Sequence, residues 1–168
     1  MIILMAGLPG TGKSTLARAL SEKTAGCVLN KDQIRAALFT PNDIEYSTAQ
    51  DDFCMEVMLQ SAGFLLQKNP ERRVFLDGRT FSRRYQIDRV LAVAAERKQP
   101  WIILECVCRE ESARRRLALD AEHPARNRDF ALYLEVKAHF EEIQLRKTVI
   151  DTDQPIEDCV RLALRSLA

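Results

Sequence analysis

The sequence opens with MIILMAGLPGTGKST, residues 1–15, in which an apolar run is followed by a glycine-rich segment. Residues 2–6 form an unbroken apolar run of strand length, and residues 13–23 have the composition of a helix. The glycines between them allow backbone conformations that other residues rarely adopt. A buried strand that passes through a glycine-rich turn directly into a helix is typical of an α/β fold.

The turn itself, GLPGTGKST, matches the pattern G-x-x-x-x-G-K-[ST] of a phosphate-binding loop, or P-loop. Its N–H groups are expected to form an anion-binding nest, and the helix N-terminus adds partial positive charge. Nine successive residues are therefore predicted to bind nucleotide: Gly7, Leu8, Pro9, Gly10, Thr11, Gly12, Lys13, Ser14 and Thr15. Lys13 should reach the terminal phosphates and the Ser14 hydroxyl should ligate the metal, which predicts ATP and Mg²⁺ as cofactors.

Strands and helices alternate along the rest of the chain. Apolar runs predict strands at residues 2–6, 27–29, 74–76, 101–107 and 147–151. Helical patterns fall at residues 13–23, 32–39, 48–68, 82–98, 110–119, 130–146 and 155–167. This alternation predicts an α/β fold in which helices cover both faces of a five-stranded parallel sheet. We expect one domain over residues 1–168.

The composition narrows the class of protein further. Hydrophobic residues make up 46% and charged residues 29% of the 168 residues, which is ordinary for a globular domain. The net charge of +1 provides no general attraction to nucleic acid or to a membrane surface. No apolar run approaches the ~20 residues needed to cross a bilayer. The five cysteines lack C-x-x-C spacing, which predicts reduced thiols and a cytoplasmic location.

A carboxylate and a guanidinium follow the second strand in LNKDQIRAALF, residues 29–39. Asp32 and Arg35 are three residues apart, so they share one face of the predicted helix. A kinase needs a group that accepts the proton of the acceptor hydroxyl, and Asp32 would lie across a cleft from the P-loop. The alternative is that Asp32 only caps the helix. Asp77, which ends the third strand, could hold Mg²⁺ or the acceptor, or merely begin an Asp-Gly turn.

The P-loop followed by Asn30-Lys31-Asp32-Gln33-Ile34-Arg35 resembles the 5′-hydroxyl polynucleotide kinases and related small P-loop kinases, including zeta-toxin-like and small-molecule kinases. The resemblance extends to the third-strand Asp77, an arginine-rich lid and IDTDQP at residues 150–155. It implies a P-loop NTPase fold of the nucleoside-monophosphate-kinase-like type. It also implies that Asp32 is the general base and that Arg35 positions the base or the acceptor.

A short lid is expected at about residues 109–129, REESARRRLALDAEHPARNRD. In the related kinases, lid arginines close over the γ-phosphate, and the resemblance implies that Arg116 is one of them. Four residues later, where the polynucleotide kinases have a second arginine, this sequence has Asp120. Arg126 or Arg128 is expected to replace that arginine.

The acceptor is the least defined part of the prediction. TPNDIEYSTAQDDFCME, residues 40–56, is acidic and would repel a nucleic-acid strand, and it offers no aromatic platform for bases. A small metabolite, nucleoside or related compound is therefore favoured as the acceptor of the γ-phosphate. The Asp32–Arg35 pair favours the alternative, a 5′-hydroxyl polynucleotide kinase. A third alternative, of another class, is a non-catalytic ATP-binding module or an NTPase that acts on a partner.

Overall fold

A computed structural model of the chain describes residues 1–119 and 128–167. Five strands form one sheet: β1 (Ile2–Ala6), β2 (Cys27–Asn30), β3 (Val74–Asp77), β4 (Trp101–Val107) and β5 (Thr148–Asp151). Their order across the sheet is β2-β3-β1-β4-β5, and every neighbouring pair is parallel. The predicted five-stranded parallel sheet is confirmed.

Seven α-helices lie within the described residues. They are α1 (Lys13–Thr24), α2 (Lys31–Leu38), α3 (Thr48–Lys68), α4 (Arg84–Glu96), α5 (Glu110–Leu119), α6 (Phe130–Ala138) and α7 (Ile156–Ser166). A 3₁₀ turn at Pro41–Asp43 precedes α3. Among these described residues, none of the helices is both long enough and apolar enough to cross a membrane.

Strand β1 is completely buried, and its side chains point alternately to the two faces of the sheet, where each set packs into a separate hydrophobic core. On one face, Ile2 and Leu4 pack with Met58 of α3 and Val90 of α4. On the other face, side chains of α1 and α7 complete a second core. Because apolar side chains cover both faces, the strands read as continuous hydrophobic runs, as expected for a parallel sheet.

One helix is much shorter than predicted. The helical pattern over residues 130–146 suggested a long helix, but α6 ends at Ala138. The chain then leaves the helical path because the Glu141 amide donates to the Ser82 carbonyl at 2.9 Å. Ile143 is buried in the core beside α3 and α4. Tertiary contacts therefore override a local helical preference over these residues.

Candidate active site

The P-loop connects β1 to α1, as the sequence predicts. Gly7 has φ of 128°, and a side chain there would overlap the Cys106 carbonyl oxygen. Gly12, with φ of 78°, is the residue before the first turn of α1. The first amides of a helix have no acceptor within the helix, so those of α1 are available to phosphate oxygens.

Lys13 is buried inside this loop. Its Nζ donates to the carbonyl oxygens of Gly7 at 2.9 Å and Leu8 at 2.7 Å. Burial lowers the pKa of Lys13 to about 8, although the nearby Asp77 carboxylate opposes that shift. The ammonium group thus lies beside the anion nest, and its hydrogen bonds to described residues all go to neutral carbonyl oxygens.

A cavity of about 650 Å³ lies over the N-terminus of α1, and we call it the nucleotide cavity. Its lining combines P-loop residues with Arg116 and with residues that follow β5. This cavity is lined by Gly10, Gly12, Lys13, Ser14, Thr15, Leu16, Arg18, Asn30, Gln33, Arg116, Leu119, Arg128, Thr152, Gln154, Ile156 and Cys159. Its position at the carboxyl ends of parallel strands is the usual ligand site of such sheets.

Arg116 links α5 to the loop after β5. Its guanidinium donates to the Thr152 carbonyl oxygen at 2.7 Å and to Thr152 Oγ1 at 3.0 Å. Thr152 Oγ1 in turn donates to the Thr11 carbonyl oxygen at 3.0 Å. Arg116 therefore holds one wall of the nucleotide cavity, and it does not line the second cavity described next.

The second cavity, of about 390 Å³, adjoins the first. The two share Lys13, Ser14 and Arg128. Leu132 and Val136 of α6 form part of its wall, together with Tyr46 and Tyr85. A bound nucleotide with its terminal phosphate between Lys13 and Arg128 would point that phosphate at the second cavity.

Asp32 lines the second cavity and is nearly buried. It does not cap α2, because Asn30 Oδ1 accepts from the amides of Asp32 at 2.9 Å and Gln33 at 3.1 Å. Arg35 Nη1 donates to Asp32 Oδ1 at 3.0 Å. Lys31 Nζ also lies 3.2 Å from that oxygen. Among the described residues, the contacts of Asp32 with Arg35 and Lys31 both involve Oδ1.

The acidic segment is paired with basic residues, which the sequence analysis did not anticipate. Asp51 forms ion pairs with Lys31, Arg35 and Arg79. Asp52 accepts from Arg79 Nη2 at 2.8 Å. These pairs join residues that are 16 to 28 positions apart in the sequence, so no local spacing could reveal them. Repulsion of a polyanion by this segment is consequently weaker than its composition suggested.

Asp77 lies at the end of β3, close to the P-loop. Its Oδ2 accepts from Asn30 Nδ2 at 2.8 Å, whereas its Oδ1 is buried without a hydrogen-bond partner among the described residues. Oxygen atoms are the ligands that Mg²⁺ prefers, directly or through water. Ser14 lines both cavities, and Asp77 lines the second. The Ser14 hydroxyl and the unpaired carboxylate oxygen of Asp77 fit such an ion.

Most of the predicted site residues thus line two joined cavities. Lys13, Ser14 and Arg128 are shared, Asp32, Arg35 and Asp77 line the second cavity, and Arg116 lines the first. Arg126 lies outside the described residues.

A family model described as AAA domain matches residues 2–143. The matched range begins at β1 and includes the P-loop, the Asp32–Arg35 pair, Asp77 and the lid region. No curated protein matches the sequence.

Solved structures match the fold over 99% of this chain. A gluconokinase from Sinorhizobium meliloti 1021 is 19% identical, with 90% of that chain covered and a TM-score of 0.69. The Mycobacterium tuberculosis APS kinase CysC, in complex with AMPPNP and APS, is 17% identical, with 96% covered and a TM-score of 0.74. Chaetomium thermophilum Kti12 in complex with ADP-AlF3 is 15% identical, with 97% covered and a TM-score of 0.75. At such identities the similarity shows the fold, and it confirms the predicted P-loop kinase fold.

Proposed function

Because the chain belongs to the AAA domain family and has the fold of small P-loop kinases, we propose that it is an ATP-dependent kinase. It transfers the γ-phosphate of ATP to a hydroxyl group of a small acceptor, such as a metabolite or nucleoside. The observation that carries this proposal is the junction of the two cavities at Lys13, Ser14 and Arg128, with Asp32 on the wall beyond it. Residues 1–168 act as one cytoplasmic kinase domain with a lid at about residues 109–129.

In the proposed reaction, the acceptor oxygen forms a bond to the γ-phosphorus while the bond to the leaving ADP oxygen breaks. Asp32 Oδ2 accepts the hydroxyl proton, and Arg35 and Lys31 hold the carboxylate through Oδ1. Mg²⁺, held by Ser14 and through Asp77, would neutralise charge on the β- and γ-phosphates.

The developing charge on the γ-phosphoryl oxygens is stabilised by cations at the junction of the cavities. Lys13 and Arg128 are proposed for this role because they line both cavities. Arg116 supports the nucleotide wall through Thr152. Arg126 is proposed as a further lid arginine from the sequence alone.

The other two classes of protein predict different products of the reaction with ATP. A 5′-hydroxyl polynucleotide kinase would use the same Asp32–Arg35 pair but would label an oligonucleotide. An ATP-binding module or NTPase, the class kept open from the sequence, would turn over ATP without labelling any acceptor. In that case Asp32 would have no role in proton transfer.

The test is transfer of radiolabelled γ-phosphate from ATP with Mg²⁺. One set of reactions contains pooled sugars, polyols and nucleosides, and the other contains a 5′-hydroxyl oligonucleotide. Label should enter the small-molecule pool, and Asp32→Asn should reduce that rate by about 10²-fold or more, because a general base is lost.

The control variant is Asp43→Asn, which removes an exposed carboxylate from the same segment and should leave the rate unchanged. Release of free phosphate alone, at the same rate in Asp32→Asn, would refute the kinase proposal for the acceptors tested. Label on the oligonucleotide alone would show that the acceptor is a 5′-hydroxyl polynucleotide instead of a small molecule.

A further inference from the structure

Three basic side chains converge on the carboxylate of Asp51, in the first turn of α3. Lys31 Nζ lies 2.7 Å from Oδ1, and Arg35 Nη2 donates to the same oxygen. Arg79 Nη1 lies 3.3 Å from Oδ2. Asp51 and all three basic residues line the second cavity. The basic side chains are at most 9% exposed, so they form a preassembled site for an anion rather than a solvated surface.

The charges around this site are balanced without a ligand. Lys31, Arg35 and Arg79 contribute three positive charges, and their partners Asp32, Asp51 and Asp52 contribute three negative charges. Buried charges are stable only when they are paired. Lys13, Arg83 and Arg128 also line the cavity, but Arg83 pairs with Glu141, and the proposed function assigns Lys13 and Arg128 to the nucleotide phosphates. A further anion beside Lys31, Arg35 and Arg79 would therefore have to displace Asp51.

We infer that Asp51 determines the class of acceptor, because its carboxylate fills the anion site of the second cavity and leaves room for an uncharged hydroxyl compound. The acceptor is a neutral polyol, sugar or nucleoside, and not a compound with a phosphate or carboxylate beside the reacting hydroxyl. This inference rests on the proposed function, since it takes the second cavity as the acceptor site. It also disfavours a polynucleotide, in which a phosphate group lies near the 5′-hydroxyl.

The test measures anion binding directly and needs no knowledge of the acceptor. The protein is first saturated with Mg²⁺ and the non-hydrolysable ATP analogue AMPPNP, so that the P-loop cannot bind the probe. Formate and inorganic phosphate are then titrated in low-chloride buffer and followed by calorimetry. Asp51→Ala should bind both probes at least about tenfold more tightly than the wild type, because three cations lose a partner that formed charge-assisted contacts.

Asp52→Ala is the matched control. It changes the net charge equally and lies next in the chain, but Asp52 pairs only with Arg79 among the three cations and does not line the cavity. Because Arg79 keeps Asp51 as a partner in this variant, all three cations stay paired, and the probes should bind far less tightly than they do to Asp51→Ala. If Asp51→Ala fails to fold, the nearly isosteric Asp51→Asn replaces it.

Two results would overturn the inference. Formate and phosphate that bind equally to the wild type and Asp51→Ala would mean that the internal carboxylate gives way to an external anion. In a transfer assay whose pool also contains hydroxy acids and sugar phosphates, label only on these anionic compounds would have the same meaning.

Failure of AMPPNP to bind would instead refute the kinase proposal. The anion titration of the unliganded proteins would then still compare the site with and without Asp51.

Discussion

At the scale of single residues, Lys13 links burial to ligand binding. Its ammonium group is removed from water and donates hydrogen bonds to the carbonyl oxygens of Gly7 and Leu8. Burial lowers the pKa of Lys13 to about 8, so the neutral form becomes accessible just above physiological pH. A nucleotide phosphate would attract the charged form, since opposite charges at short distance favour ionisation.

ADP affinity should therefore fall as the pH rises through about 8. At pH 9 about a tenth of Lys13 would carry its proton in the free protein, so the Kd for ADP should increase about tenfold relative to neutral pH. Calorimetric titrations at a series of pH values measure this change. They should also detect proton uptake on binding above pH 8.

The control for Lys13 is Lys13→Arg. An arginine stays charged throughout this pH range, so the affinity of the variant should vary little with pH, whatever its absolute value. A wild-type Kd for ADP that stays constant up to pH 9 would show that Lys13 is protonated in the free loop.

Residue patterns predicted the parts of the site whose residues are close together in the sequence. They missed the contacts between residues that are far apart in the sequence. The P-loop and the Asp32–Arg35 pair follow from spacing within one loop and one helical turn. The ion pairs of Asp51 with Arg35 and Arg79 depend on how α3 packs against α2 and on the turn after β3. Composition showed an acidic segment but could not show which cations would neutralise it.

At the scale of secondary-structure elements, the end of α6 is tied to the start of α4. The Glu141 carboxylate accepts from the Arg84 amide at 2.6 Å and from Arg83 Nη1 at 3.2 Å. The first amides of a helix lack partners within the helix, so this carboxylate from a distant segment satisfies one of them. The same contact fixes the segment that leads out of the wall of the second cavity.

Glu141→Gln should lower the Tm at neutral pH by about 2 °C, because the charged acceptor of the α4 amide is lost. The hydrogen bond from the Arg84 amide is the main cause that lowers the pKa of Glu141 below its ordinary 4.5, and the hydrogen bond from the Arg83 side chain lowers it further. A lowered pKa stabilises the fold above the ordinary value, and that stabilisation is lost as the pH falls through the lowered pKa. The difference between wild type and variant should therefore shrink in acid. Glu142→Gln, at an exposed neighbour that accepts a hydrogen bond from Gln144, should have no effect in the same melting experiments.

Arg116 connects α5 to the loop after β5, and its replacement would show whether it supports nucleotide binding or phosphoryl transfer. In the structure Arg116 holds Thr152, so Arg116→Ala should loosen the nucleotide wall and weaken ADP and ATP binding by the same factor, about tenfold. If Arg116 instead contacts the γ-phosphoryl group only in the transition state, kcat falls while ADP affinity is preserved. Calorimetry with ADP and steady-state kinetics separate these outcomes. Arg115→Ala, exposed on the same helix, is the control.

At the scale of the whole molecule, strand order brings the site together. The number of strands and their parallel direction follow from the alternation of apolar runs and helices. The order β2-β3-β1-β4-β5 does not, because neighbouring strands are not always consecutive in the chain. Placing β3 between β2 and β1 puts Asp77 beside both Asn30 and the P-loop. A sequence pattern alone could nominate Asp77 but not establish its neighbours.

This arrangement predicts that Mg²⁺ stabilises the nucleotide-bound protein through Asp77. ADP at 100 times its Kd should add ~2.7 kcal/mol to the free energy of unfolding. For a domain of this size, that corresponds to a Tm increase of about 5–10 °C, and Mg²⁺ should increase it further. Asp77→Asn should keep the increase produced by ADP alone and lose the additional increase from Mg²⁺, since the carboxylate oxygen without a partner is removed. Asp88→Asn, half-exposed on α4, should respond like the wild type. If Asp77→Asn shows the same additional Tm increase with Mg²⁺ as the wild type, Asp77 does not hold the ion and serves only as the first residue of the Asp-Gly turn.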